Sequence, residues 1–166
     1  MGKEIMKRIT LIIGILAASL LSNTASAEGY WGAKAANIDI DASGYGSAIN
    51  IGLFVGAEFA QAGSNIISLE GEFTTSIIDG DTNTSAEYSA QTLALYAAMR
   101  TASDNYLKIK AGILDSEITY SNGGSSNDSG LSWGIGFGFN NYEIEYTFVD
   151  LDGDADASMI SVGYLF

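Results

Sequence analysis

Leu131-Ser132-Trp133-Gly134-Ile135-Gly136-Phe137-Gly138-Phe139-Asn140-Asn141-Tyr142-Glu143-Ile144-Glu145-Tyr146-Thr147-Phe148 decides the fold. Large apolar side chains stand at alternate positions on both sides of Asn140-Asn141, and glycine, hydroxyl or carboxylate groups fill the positions between them. A period of two places alternate residues on opposite faces of a strand. Two asparagines between such runs predict a tight hairpin whose central residues both take positive φ. The same alternation recurs at 30–38, 50–59, 67–74, 92–100, 107–113 and 158–166, which with 131–139 and 142–148 gives eight strands. Short connections at 60–65, 101–105 and 140–141 alternate with longer ones at 39–47, 78–87, 121–128 and 150–156, rich in Gly, Ser, Asn and Asp. Short turns at one end and longer loops at the other predict an up-and-down meander.

Alternation does not say which face meets water. A soluble lipocalin-like barrel turns its apolar face inward; a membrane barrel turns it outward to lipid. Glycine is frequent on the polar face, at 32, 52, 56, 112, 134, 136, 138 and 163. It weakens an exposed strand but leaves room for long side chains inside a narrow barrel. Lys34, Arg100, Lys108 and Lys110 lie on the same face, beside Glu58, Glu70, Glu72, Glu143 and Glu145. The aromatics of the apolar face favour strand ends, with Trp31, Phe59, Phe73, Trp133, Phe139, Tyr142, Phe148 and Phe166, as two interfacial girdles require. Together these choose the membrane: an all-β, eight-stranded antiparallel up-and-down transmembrane β-barrel.

The 166 residues include no Cys, His or Pro, and the formal charge is −13. The absence of Cys excludes disulfides and thiolate chemistry; the absence of His removes the commonest general base. So few basic residues exclude nucleic acid as a partner. Residues 1–27 read as a cleaved signal peptide. Lys3, Lys7 and Arg8 precede the apolar run 9–21, which is short for a spanning helix, and Ala25-Ser26-Ala27 is a small-x-small cleavage site. An uncleaved anchor is the alternative. Residues 28–166 then form the barrel domain, with Lys34, Arg100, Lys108 and Lys110 as its basic residues.

The chain resembles the small eight-stranded outer-membrane barrels, the OmpA transmembrane domain and the OmpX/Ail group. Tyr30-Trp31-Gly32-Ala33-Lys34 is similar to the opening strand of the former, with Tyr30, Gly32 and Lys34 facing inward. Ile160, Val162, Tyr164 and the terminal Phe166 resemble the C-terminal signal that barrel-assembly machinery reads. The resemblance implies export to the outer membrane of a Gram-negative bacterium. It implies contact with outer-membrane lipid, lipopolysaccharide, periplasmic chaperones and that machinery; a closed barrel leaves no edge that needs a partner, so a monomer is expected. The loops read as shorter than those of the family, and no periplasmic peptidoglycan-binding domain is expected after the barrel.

An eight-stranded barrel is just wide enough for side chains to fill. Charges inside it must pair. The nine lumen charges are therefore expected to form a plug near the periplasmic end, with Arg100 at its centre because its planar fork holds two carboxylates. Above the plug the expected lining is Asn50, Ser68, Thr74, Thr92 and Ser132. A channel gated by exchanging ion pairs is the alternative. Glu70 and Glu72 share a face as an acid/base pair would, but their basic neighbours favour structural pairing, and no enzyme activity is expected. Asp150, Asp152, Asp154 and Asp156 alternate around Gly153, and Asp79-Gly80-Asp81 is a smaller version. Spaced carboxylates suit weak Ca²⁺ or Mg²⁺ binding; the other reading is a solvated acidic loop with no dedicated site. No cofactor is expected. The acidic loops also argue against binding heparin or other polyanions.

Overall fold

The computed structural model describes residues 28–151 and 156–166, so the expected signal peptide at 1–27 lies outside the described residues. The strands are β1 (Gly29–Ile40), β2 (Ala48–Ala62), β3 (Asn65–Ile78), β4 (Gly80–Asp81), β5 (Glu87–Thr101), β6 (Asn105–Tyr120), β7 (Ser125–Phe139), β8 (Tyr142–Leu151) and β9 (Ala157–Leu165). Each long strand pairs antiparallel with its neighbours in sequence, and β1 closes the ring against β9, from Gly32 opposite Leu165 to Ile40 opposite Ala157. β4 is a two-residue extension of the β3–β5 hairpin, and β3 pairs directly with β5 below it. The barrel therefore has eight staves and no free edge among them, and closure satisfies the backbone groups that an open sheet would leave unpaired in lipid.

The turns are as tight as the sequence implies. Ala62 pairs with Asn65 across Gly63-Ser64, where Gly63 takes φ +63°. Phe139 pairs with Tyr142 across Asn140-Asn141. Only Asn140 of that pair has positive φ, at 51°, so the expectation of two such residues is corrected to one. The loop expected at 121–128 shrinks to 121–124, because β7 begins at Ser125 and runs beside Thr119 and Glu117. Ser125 to Asp128 carry no apolar period, yet main-chain hydrogen bonds extend the ladder without one.

The barrel is apolar outside and polar within. Leu131 is 67% exposed and Leu107 66%, while Glu70 is 1% and Lys108 3% exposed. The lipocalin-like alternative, with the apolar face inward, is thereby excluded. Outward aromatics form a belt at the turn end: Trp31 stacks on Phe166 at 4.3 Å, and Tyr164 meets both Tyr142 and Phe166 edge-on. Near the loop end Trp133 packs beside Phe148 at 5.7 Å. Above the apolar band the outward positions turn polar, at Asp39, Gln91, Ser129 and Asp150.

Candidate functional site: a charged lumen

Glycine makes the room. A Cβ on Gly32 would overlap the ring of Phe54, and one on Gly138 would overlap that of Tyr106. The inward rings of Tyr30, Phe54 and Tyr106 thus lie across lumen positions from which side chains are missing. Charged groups fill the space between them.

All nine lumen charges expected from the sequence point inward, and all nine are ion-paired. Lys34 Nζ lies 2.7 Å from Glu72 Oε2 and 3.1 Å from Glu145 Oε2. Lys110 Nζ lies 2.5 Å from Glu72 Oε1 and 3.2 Å from the same Glu145 oxygen. Lys108 Nζ lies 2.7 Å from Glu70, 3.0 Å from Glu143 and 3.1 Å from Glu145. Of these three, only the contact with Glu143 is an aligned hydrogen bond; the other two act through charge. Arg100 pairs with Glu58 alone.

The centre is therefore Lys108, with three carboxylates, facing Glu145, with three ammonium groups. Arg100 is displaced from the central role that its guanidinium suggested. It sits toward the turn end, between the rings of Tyr30 and Tyr106, each 5.2 Å away. Lys110 lies 4.3 Å over Tyr96. Five carboxylates face four cations, and two phenols help to solvate the excess: Tyr30 donates to Glu70, and Tyr106 donates to Glu143 at 2.7 Å. A charge taken out of water is costly unless paired and hydrogen-bonded, and this network supplies both. Oxygens of Glu70, Glu72 and Glu145 lie within 4.8 Å of one another, a spacing that fits a metal ion. Three lysines already neutralise them, so the cluster is a salt-bridge knot. The same lysines occupy Glu70 and Glu72 as acid/base candidates.

Toward the loops a hydroxyl and amide layer follows. Asn50 Nδ2 donates to Thr74 Oγ1 and to the Ala90 carbonyl, both at 2.9 Å, and Thr74 meets Thr92 at 2.8 Å. Ser132 meets Tyr96 at 3.0 Å. Ser68 does not belong to this layer. It lies on the turn side of Glu70, 2.9 Å from Tyr30 Oη, because β3 runs upward from Asn65. Beyond the layer the lining becomes apolar, with Ile38, Ile40, Leu114, Val149 and Met159 buried; the sequence reading, which took the upper lining as polar, missed this. Alternation placed Met159 on the inward face without giving its height, and Ile40, Leu114 and Val149 lay just beyond the runs it marked.

Asp150 pairs with Leu131 at the outward end of β8, and the backbone carbonyl of Asp156 accepts from Asp41 at 2.8 Å. Asp152 and Asp154 lie outside the described residues. Ile160, Val162, Tyr164 and Phe166 all face outward and are exposed.

Three solved barrels share the fold. Neisserial surface protein A is 13% identical, with a TM-score of 0.57, over 84% of this chain and 97% of that one. Ail of Yersinia pestis, in complex with the heparin analogue sucrose octasulfate, is 17% identical, with a TM-score of 0.53 over the same shares. The N-terminal β-barrel domain of Pseudomonas aeruginosa OprF is 13% identical, with a TM-score of 0.51, over 85% of this chain and 100% of that domain. No curated protein matches the sequence. The inside-out barrel meets its sequence counterpart in the outer membrane protein beta-barrel domain, which matches residues 9–166: the chain belongs to that family.

Proposed function

We propose that the protein is a structural and surface-interaction component of a Gram-negative outer membrane, with its lumen plugged and its loops as the outer surface. The turn end faces the periplasm and the loop end faces outward. The observation that carries the reading is the ion-pair knot. Lys34, Lys108, Lys110, Glu70, Glu72, Glu143 and Glu145 are all 5% exposed or less, the burial that a plug across the lumen requires. Such a network costs too much to open for a passing solute. The barrel is then a scaffold and catalyses nothing.

The outer end carries Asp39, Asp41, Asp79, Asp81, Glu87, Glu117 and Asp150. Opposite anionic lipopolysaccharide these acids repel unless divalent cations stand between them. Ail was solved with a heparin analogue; the acidic loops here disfavour such polyanions. Phe166 and the outward residues before it are what assembly machinery would meet on the last strand. Liposome swelling tests the reading. Liposomes carrying the folded barrel should swell in arabinose no faster than protein-free ones. Faster swelling would replace the plug with a narrow channel.

A further inference from the structure

The outward part of the lumen is chemically unlike the part below it. Ile38, Ile40, Leu114, Val149 and Met159 surround a cavity of about 390 Å³. Inward aliphatic residues are ordinary where they pack against one another, and protein interiors leave few voids larger than a water molecule. This void holds more than ten times the roughly 30 Å³ that a water takes up in the liquid. The volume also falls within the about 300–1,000 Å³ typical of small-molecule sites.

The walls are held in place. Tyr45, from the loop after β1, meets Tyr120, at the end of β6, through their hydroxyls at 2.9 Å. Tyr45 also packs edge-on against Tyr88, whose hydroxyl donates to the Gly46 carbonyl at 2.6 Å. Toward the turn end the hydroxyl layer and the ion-pair knot form a floor. Asp128 is the one charged residue of the described lining. A carboxylate in an otherwise uncharged wall favours a cation and repels an anion.

We propose that this chamber binds a small, predominantly apolar organic molecule that is neutral or cationic, and that enters and leaves at the loop end. The volume is too small for a folded peptide segment or a whole lipid. The site does not depend on whether the lumen conducts.

The methionines provide the test. Met1 and Met6 lie within residues 1–27, Met99 faces outward, and Met159 lines the chamber. The protein purified from outer membranes with ¹³C-methyl methionine, in lipid nanodiscs, is titrated with naphthalene, 1-naphthylmethylammonium or 1-naphthoate. Met99 reports partition into lipid, which does not saturate; Met159 reports the chamber. The expected result is a saturable shift of Met159 with the first two probes, and at least tenfold weaker binding of the naphthoate. Ala157→Phe, which fills the chamber, should weaken naphthalene binding at least tenfold in a barrel of unchanged heat-modifiable mobility. A Met159 response that tracks Met99 without saturating overturns the site, whether or not the variant folds. So does unchanged binding in a folded Ala157→Phe barrel. Naphthoate binding as tight as that of the ammonium overturns the charge selectivity.

Discussion

Lys108 is the residue on which the lumen turns. Removing one partner of a buried ion pair leaves the others uncompensated, at a cost of about 3–5 kcal/mol. Lys108→Met leaves Glu70, Glu143 and Glu145 each short of a cation, so its unfolding midpoint in detergent and urea should fall by an amount in that range. Arg100→Ala removes a pair whose side chains are 21% and 15% exposed, where water screens the charge. Its loss should be the smaller of the two in the same titration; a larger one would move the centre back to Arg100. The residue types and their face were legible in the sequence, because a base every second position beside glycine has no purpose on a lipid face. Their heights were not. In a barrel the height of a residue depends on the stagger between strands, which pairing sets and periodicity does not. That is why Ser68 was expected above the plug and lies below it, and why three lysines outrank the arginine.

At the scale of elements, the seam between β1 and β9 joins the two ends of the chain. The Trp31–Phe166 stack lies across it. A double-mutant cycle of Trp31→Ala and Phe166→Ala should return a coupling of about 0.5–1.5 kcal/mol, as expected for an aromatic pair. A coupling near zero would mean that the two rings serve the lipid interface separately. The hairpins depend on glycine opposite bulk. Gly138→Val drives a branched side chain into the ring of Tyr106, and overpacking of this kind costs about 1–3 kcal/mol; unfolding in urea measures it. Eight strands and the residues that share each face followed from alternation, their order from the alternating short and long connections, and the wet face from the glycines and charges. The outward ends did not: β7 starts six residues before its apolar run, because above the membrane a ladder needs only backbone partners. The apolar chamber escaped notice for a related reason. Ile38, Leu114, Val149 and Met159 were scattered among polar neighbours, and only closure of the ring brings them together.

At the scale of the molecule, the chain solves two problems with one pattern. The apolar face is turned to lipid, and the polar face, which would otherwise surround a water column, pairs with itself. A closed barrel of this kind should resist SDS and migrate differently before and after boiling, and identical mobility would deny closure. The central claim is that the lumen below the loops is shut by Lys34, Lys108, Lys110 and their carboxylates. Single-channel recording in planar bilayers tests it most directly, using protein shown to be folded by that mobility shift. The account expects no discrete conductance steps from the wild-type barrel, and steps from a variant that carries Lys108→Ser and Glu145→Ser together. Steady, reproducible steps from the wild type would contradict it.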